Sequence, residues 1–242
     1  MIKQILCDLD GTMIHFDHQF FIKNYIKLIS KNLAEYIEPE LFSKALLAAT
    51  GHMIISGNPQ QTNAERFWNY LELNTNYKLR KLEPIINNFY ETEFQQLKKW
   101  IKPANFKPVL LKIQQRNIPI AIATNPVFPL IAVHSRIRWG GYDPDIFNLI
   151  TSYESSHYCK PQIEYYQEIL DNLNCDPNEC LMIGNDVSDD LAAGKLGIKT
   201  YLLTDTIINY HQINSFNTDY QGTCADLFND IEIILAKTDS NY

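Results

Sequence analysis

Several things are missing from this chain of 242 residues. No stretch approaches the ~18 consecutive apolar residues of a membrane-spanning helix. Nor is the first apolar run followed by a cleavage-like site. The expectation is a soluble, cytoplasmic protein with no membrane partner. Positive charge is also scarce: the net charge is −7, and the 21 Lys and Arg are scattered rather than gathered in a block. Nothing here suits binding to a nucleic acid polymer. An anionic substrate would have to be met by local positive charge, from a metal or a few placed cations. Finally, the five cysteines (Cys7, Cys159, Cys175, Cys180, Cys224) lack metal-ligand spacing, and an odd number suits a secreted disulfide framework poorly. Cys7 and Cys180 sit in apolar runs and read as small core residues. Internal repeats and low-complexity segments are absent, and residues 238–242 read as a loose tail.

What is present is a core-forming composition, 45% hydrophobic and 12% aromatic. This length suits one large domain or a core with a smaller accessory domain. Five short apolar runs, 2–7, 118–124, 148–152, 180–184 and 199–204, show no alternation and read as strands covered on both faces. Helical patterns at 106–117 and 162–174 each precede a strand. A third, at 188–197, follows one and ends on Gly197, a candidate C-cap. The alternation predicts an open, parallel, Rossmann-like α/β sheet of five or six strands with helices on both faces. Residues 17–100 differ. They hold no convincing strand but four amphipathic helical patterns, at 20–33, 39–49, 63–73 and 84–100, with Pro39 where a first helical turn accepts it. The expected division is an α/β core at 1–16 and 101–242 with an α-helical cap at 17–100.

The stretch "ILCDLDGTMI" (5–14) places Asp8 and Asp10 at the end of a buried strand, where two carboxylates repel each other and are costly to desolvate. In an open α/β sheet ligands collect at the carboxyl ends of the strands. Those ends carry, in order, Asp8-Leu9-Asp10-Gly11-Thr12, Thr124-Asn125, Lys160-Pro161, and Gly184-Asn185-Asp186 with Asp189 and Asp190. In order, approximate spacing and placement after strands, this set resembles the four signatures of the haloacid dehalogenase-like (HAD) hydrolase superfamily. The branch it is most similar to carries a helical cap after the first signature, as in phosphoglycolate phosphatase and β-phosphoglucomutase.

The resemblance implies a phosphatase that releases phosphate from a small phosphorylated metabolite through an aspartyl-phosphate. Asp8 matches the nucleophile. Asp10 matches the general acid–base, with its main-chain carbonyl on the metal, and argues against a dehalogenase, which keeps no acid there. Thr124 and Asn125 match the groups that donate to the phosphoryl oxygens. Lys160 matches the cation that neutralises nucleophile and phosphate. The fourth signature departs from its commonest form: Asn185 follows the glycine and Asp186 comes one later. Asp186 is the expected metal ligand together with Asp8, with Asn185 as the alternative, while Asp190 is expected to orient Lys160 or a metal-bound water. With oxygen ligands and a phosphate substrate, Mg²⁺ is the implied ion. A divalent cation and Lys160 would together offset the repulsion of the two acids.

Single residues in these signatures have plainer readings. Asp8 would suit a cap, Gly11-Thr12 and "TNP" are ordinary turns, Asp189 is a charge at a helix N-terminus, and Lys160 alone would be a solvated loop residue. Cap residues would set specificity, and here the sequence is vague. Phe20, Phe21, Phe67, Trp68, Tyr70, Phe89 and Tyr90 recur at helical spacing, which reads first as core of the cap. His15, Phe16, His18, Lys23, His52 and Arg66 are looser candidates for meeting a substrate tail. Two other functions share these residues: a phosphomutase of the β-phosphoglucomutase type, and a non-catalytic binding protein on the same scaffold. The second usually lacks a nucleophile. Monomer and homodimer are equally open.

Overall fold

A computed structural model describes residues 1–236 of the chain; the tail at 238–242 lies outside the described residues. Its centre is strand β1, Gln4–Cys7, buried along its whole length. A run buried on both faces must be covered by helices from both sides, and the parallel sheet around β1 meets that demand. Three further strands lie to one side in sequence order of the chain's second half: β6 Cys180–Gly184, β7 Lys199–Leu203 and β8 Tyr220–Gly222. On the other side lie β4 Ile120–Ile122 and β5 Leu149–Ile150. The six-stranded order is β5-β4-β1-β6-β7-β8, parallel throughout. Ile5 is level with Ile120 on one neighbour and Leu181 on the other. The chain therefore leaves β1 in one direction and later returns to its opposite flank, which makes the carboxyl end of β1 the switch point of the sheet.

Strand residues alternate between two cores. Ile5, Cys7, Ile120, Ile122, Leu181 and Ile183 pack with helices α5, Lys107–Gln115, and α8, Cys224–Ala236. Leu6, Ala121, Ala123 and Met182 face the other way, onto Tyr165, Tyr166 and Ile169 of α7, Ile163–Leu173. The predicted strands are present; β6 matches its apolar run at 180–184 and the other four are shorter than theirs. The helix expected at 188–197 is instead a 3-10 stretch, Leu191–Leu196, closed by Gly197 at φ +89°. Helix α6, Leu130–Trp139, with β8 and α8, had no counterpart in the sequence reading.

Between β2, Ile14–His15, and β3, Lys102–Pro103, the chain is helical, and these two short strands pair antiparallel at its entry and exit. Helix α1 spans His18–Asn32 and α2 spans Pro39–Ile55, with Pro39 in its first turn. Helix α3, Asn63–Thr75, opens with a capping box between Thr62 and Glu65. The single helix expected over 84–100 is two pieces, α4 Glu83–Glu91 and a 3-10 stretch Glu93–Trp100. The break is at Thr92, whose backbone leaves helical geometry at φ −117°, ψ −87°. That break lets Phe94 and Leu97 reach the interior beside Phe89 and Tyr90, all buried. Phe21, Phe67, Trp68, Phe89 and Tyr90 are buried while Phe20 is exposed, so most of these aromatics are core. Among the described residues no helix is long and apolar enough to cross a membrane.

Candidate active site

The last residues of β1 bring Asp8 to the sheet's carboxyl edge. Its N–H donates to Ile183 O at 2.9 Å, while Cys7 O accepts from Ala123 N–H at 2.8 Å, so Asp8 stands between the ends of β4 and β6. Gly11, at φ +88°, turns the chain where a Cβ would lie 2.3 Å from Asn185 Nδ2. This close approach brings the first and fourth strand ends together.

Three buried side chains form the centre. Lys160 Nζ donates to Asp8 Oδ1 at 2.8 Å and to Asp190 Oδ1 at 2.6 Å. Asp190 Oδ2 accepts from the N–H of Asp186 at 2.8 Å, fixing the acid from its other side. Gly184 makes room for it, since a Cβ there would lie 2.1 Å from Asp190 Oδ2. Burial pushes the Asp190 carboxyl up to about 7 and raises Asp8 as well, against the pull of Lys160. Burial alone would lower the Lys160 pKa by disfavouring the charged ammonium, but Asp190 and Asp8 outweigh it and hold the pKa well above the ordinary value. The cluster thus carries two carboxylates against one ammonium and resists full ionisation.

Asp8 Oδ2 points to the other side. Thr12 Oγ1 lies 3.4 Å from it and 3.3 Å from Asn185 Oδ1, and its single proton serves one of them at a time. Asn185 is buried and oriented by its Nδ2, which donates to Thr206 O at 2.7 Å. Two hard oxygen donors therefore flank one hydroxyl beside a cluster short of positive charge. This donor chemistry fits a hard divalent cation.

The structure does not gather the three acids Asp8, Asp10 and Asp186. Asp186 Oδ1 accepts from Ser188 N–H and Oγ–H, both at 2.8 Å, and from Asp189 N–H at 3.0 Å. Asn209 Nδ2 donates to both its oxygens, at 3.0 and 2.9 Å. The carboxylate is a clasp for the turn that follows it. Among the described residues no three His, Cys, Asp or Glu side chains are grouped to hold an ion. Asp10, for its part, is paired with neither Lys160 nor Asp8. It forms an ion pair with Arg136 of α6, whose side chain is 1% exposed and lies 4.7 Å from the Phe128 ring centroid, while Asp10 itself is 23% exposed. The repulsion expected between Asp8 and Asp10 is thus offset by two separate cations, Lys160 and Arg136. Asp10 Oδ1 is buried without a hydrogen-bond partner among the described residues.

Thr124 is buried, and its carbonyl accepts from Thr151 Oγ1 at 2.7 Å and Tyr165 Oη at 2.9 Å, which pins the loop after β4. Asn125 Nδ2 donates to Asp189 Oδ2 at 3.4 Å, leaving Asn125 Oδ1 buried without a partner among the described residues. Burial raises Asp189 to about 6.

Arg136, Thr206 and Asn209 are absent from the sequence-derived set. Arg136 had a signal: it follows Ala132 by four residues and Val133 by three, so it lies on the apolar face of its helix. Thr206, whose hydroxyl donates to Gly11 O, and Asn209 lie in a loop after β7 with no local pattern. Arg66, a candidate for meeting substrate, is buried and donates to Gln61 O, Met53 O and Asn63 Oδ1 instead. His52 stacks on Tyr70 with ring centroids 4.4 Å apart.

The switch point of the parallel sheet thus gathers a carboxylate, an ammonium and a second acid. A family model described as haloacid dehalogenase-like hydrolase matches residues 2–205, and the chain belongs to that family. Over 222 residues it is 22% identical to pyrophosphatase PpaX of Bacillus velezensis, covering 90% of this chain and 91% of that protein. A solved HAD phosphatase from Thermococcus onnurineus superposes with a TM-score of 0.59 at 16% identity, covering 97% of this chain and 98% of its own. CbbY of Rhodobacter sphaeroides, solved with xylulose-(1,5)bisphosphate, gives a TM-score of 0.59 at 17% identity, covering 93% and 96%. These two likenesses speak to the fold.

Proposed function

We propose that the chain is a Mg²⁺-dependent phosphatase acting on a small phosphorylated compound, with Asp8 as nucleophile. The observation that carries this reading is the pairing of Asp8 Oδ1 with Lys160 at 2.8 Å, which leaves Oδ2 turned toward Thr12 and Asn185. One carboxylate oxygen is fixed by an ammonium, so the carboxylate is oriented before substrate arrives. A phosphoryl group drawn to Lys160 is attacked by Asp8, giving an aspartyl-phosphate and releasing the leaving group. Asp10 is the general acid–base: once it has left its ion pair with Arg136 and taken a proton from solvent, it protonates the departing oxygen, and it then takes a proton from the water that hydrolyses the intermediate. Thr124 and Asn125, on the pinned loop after β4, face the phosphoryl oxygens. Residues 17–100 serve as the cap that excludes water.

Asp8, Asn185 and the main-chain carbonyl of Asp10 would hold Mg²⁺, with Asp186 as the clasp of the turn rather than a ligand. When bound, Mg²⁺ neutralises charge on the transferring phosphoryl group. A phosphoric anhydride is a second substrate class, because PpaX is named a pyrophosphatase and its similarity runs the length of both chains. The test is phosphate release from a panel of phosphate monoesters and inorganic pyrophosphate, with Mg²⁺ and with EDTA. Mg²⁺-dependent release from at least one of them is expected. Equal release in EDTA would contradict the metal, and no release from any would contradict the reading.

A further inference from the structure

Asn63 is the first residue of α3, yet it is fully buried and its side chain leaves its own helix. Polar residues at a helix start usually cap it, but Thr62 does that here: its Oγ1 accepts from Glu65 N–H at 3.2 Å, and its own N–H donates to Glu65 Oε2 at 2.9 Å. The Asn63 amide is free for another task. Its Nδ2 lies 3.2 Å from Pro126 O, 3.2 Å from Tyr158 O and 3.3 Å from Cys159 Sγ. Pro126 directly follows Asn125, and Cys159 directly precedes Lys160. One amide thus touches both loops that carry the phosphoryl-binding groups.

The orientation of that amide is fixed. Asn63 Oδ1 accepts from Arg66 Nη2, and Arg66, itself buried, donates from Nη1 to Gln61 O at 2.5 Å. Main-chain bonds anchor the same helix end on the loop after β5: Asn63 N–H to Ser156 O at 2.8 Å and Ala64 N–H to Tyr153 O at 2.7 Å.

We propose that Asn63 is a positioning residue, which sets the spacing between the loop bearing Asn125 and the loop bearing Lys160. The inference rests on the reading of the site given above. A buried amide with two protons and three acceptors at similar distances is a bracket: moving either loop strands a polar group. Docking of the helical segment is thereby transmitted to both phosphoryl-binding groups.

The test compares four variants by kcat and KM for p-nitrophenyl phosphate and by melting temperature. Asn63→Asp keeps the shape and the Arg66 partner but loses the NH₂ donor, and Asn63→Ala loses both. Because a displacement of about 1 Å in an orienting group can cost on the order of 10²-fold, kcat per folded molecule should fall about tenfold or more in each. KM should change less than about threefold. Thr62→Ala, which weakens the same helix start without touching either loop, should lower the melting temperature and leave kcat per folded molecule unchanged. Wild-type kcat in folded Asn63→Asp, or an equal loss in Thr62→Ala, overturns the inference; should Asn63→Ala fail to fold, Asn63→Asp decides. Asp8→Asn separates the two levels. Its inactivity beside a wild-type Asn63→Asp refutes the bracket alone, while full turnover in Asp8→Asn refutes the site and the bracket with it.

Discussion

Two buried cations sit at the carboxyl edge of the sheet, and they are held differently. Lys160 lies between two acids, Asp8 at 2.8 Å and Asp190 at 2.6 Å. Arg136 has one, Asp10, and stacks on Phe128. The Arg136 pair is balanced in charge and locked in place by a planar guanidinium on an aromatic face. The Lys160 cluster is short of one positive charge, and burial resists that imbalance by raising the pKa of both acids. An unbalanced cluster invites a cationic ligand, whereas a balanced one acts as a brace. The lesson is that two neighbouring acids, Asp8 and Asp10, are kept in one site by assigning each its own cation.

Substitution should separate the two. Lys160→Met removes the ammonium next to the nucleophile and is expected to lower kcat by roughly 10²–10³-fold, the range seen when one electrostatic donor is removed from an active site. Arg136→Met leaves Asp10 without its buried partner and should act first on folding. Breaking a fully buried pair costs about 3–5 kcal/mol; with Asp10 23% exposed the loss should be smaller, read as a drop in the midpoint of urea unfolding. If Arg136→Met proved the less active of the two and Lys160→Met the less stable, the comparison would be inverted. A smaller effect concerns the ion. Titration calorimetry with Mg²⁺ should show weaker binding in Asn185→Ala and little change in Asp186→Ala, whose carboxylate is committed to Ser188, Asp189 and Asn209. Loss of binding in Asp186→Ala alone would return the ligand role to Asp186.

Much of the sheet was legible because a strand buried on both faces leaves a continuous apolar run, as "CLMIG" at 180–184 does. The acids at the strand ends were legible because their order and placement form a pattern in the chain itself. What was not legible depends on side chains from distant segments. Arg136 reaches Asp10 across 126 positions, from a helix whose apolar face gives little contrast, and the Asn209 clasp on Asp186 comes from a loop with no periodicity. The break at Thr92 was hidden for another reason. The amphipathic period runs on through 84–100 while the backbone changes from α to 3-10, so burial alone could not mark the joint. Asn63 carries no such pattern in the chain, since a polar residue at a helix start suits a cap, a task that Thr62 already performs.

The claim on which the account turns is that Asp8 bonds covalently to phosphorus. Rapid acid quenching during turnover of a ³²P-labelled substrate, followed by peptide mapping, addresses it directly. The expected result is hydroxylamine-labile label on the peptide containing Asp8, and none in Asp8→Asn. Label on another residue, or phosphate release by Asp8→Asn at the wild-type rate, would contradict it.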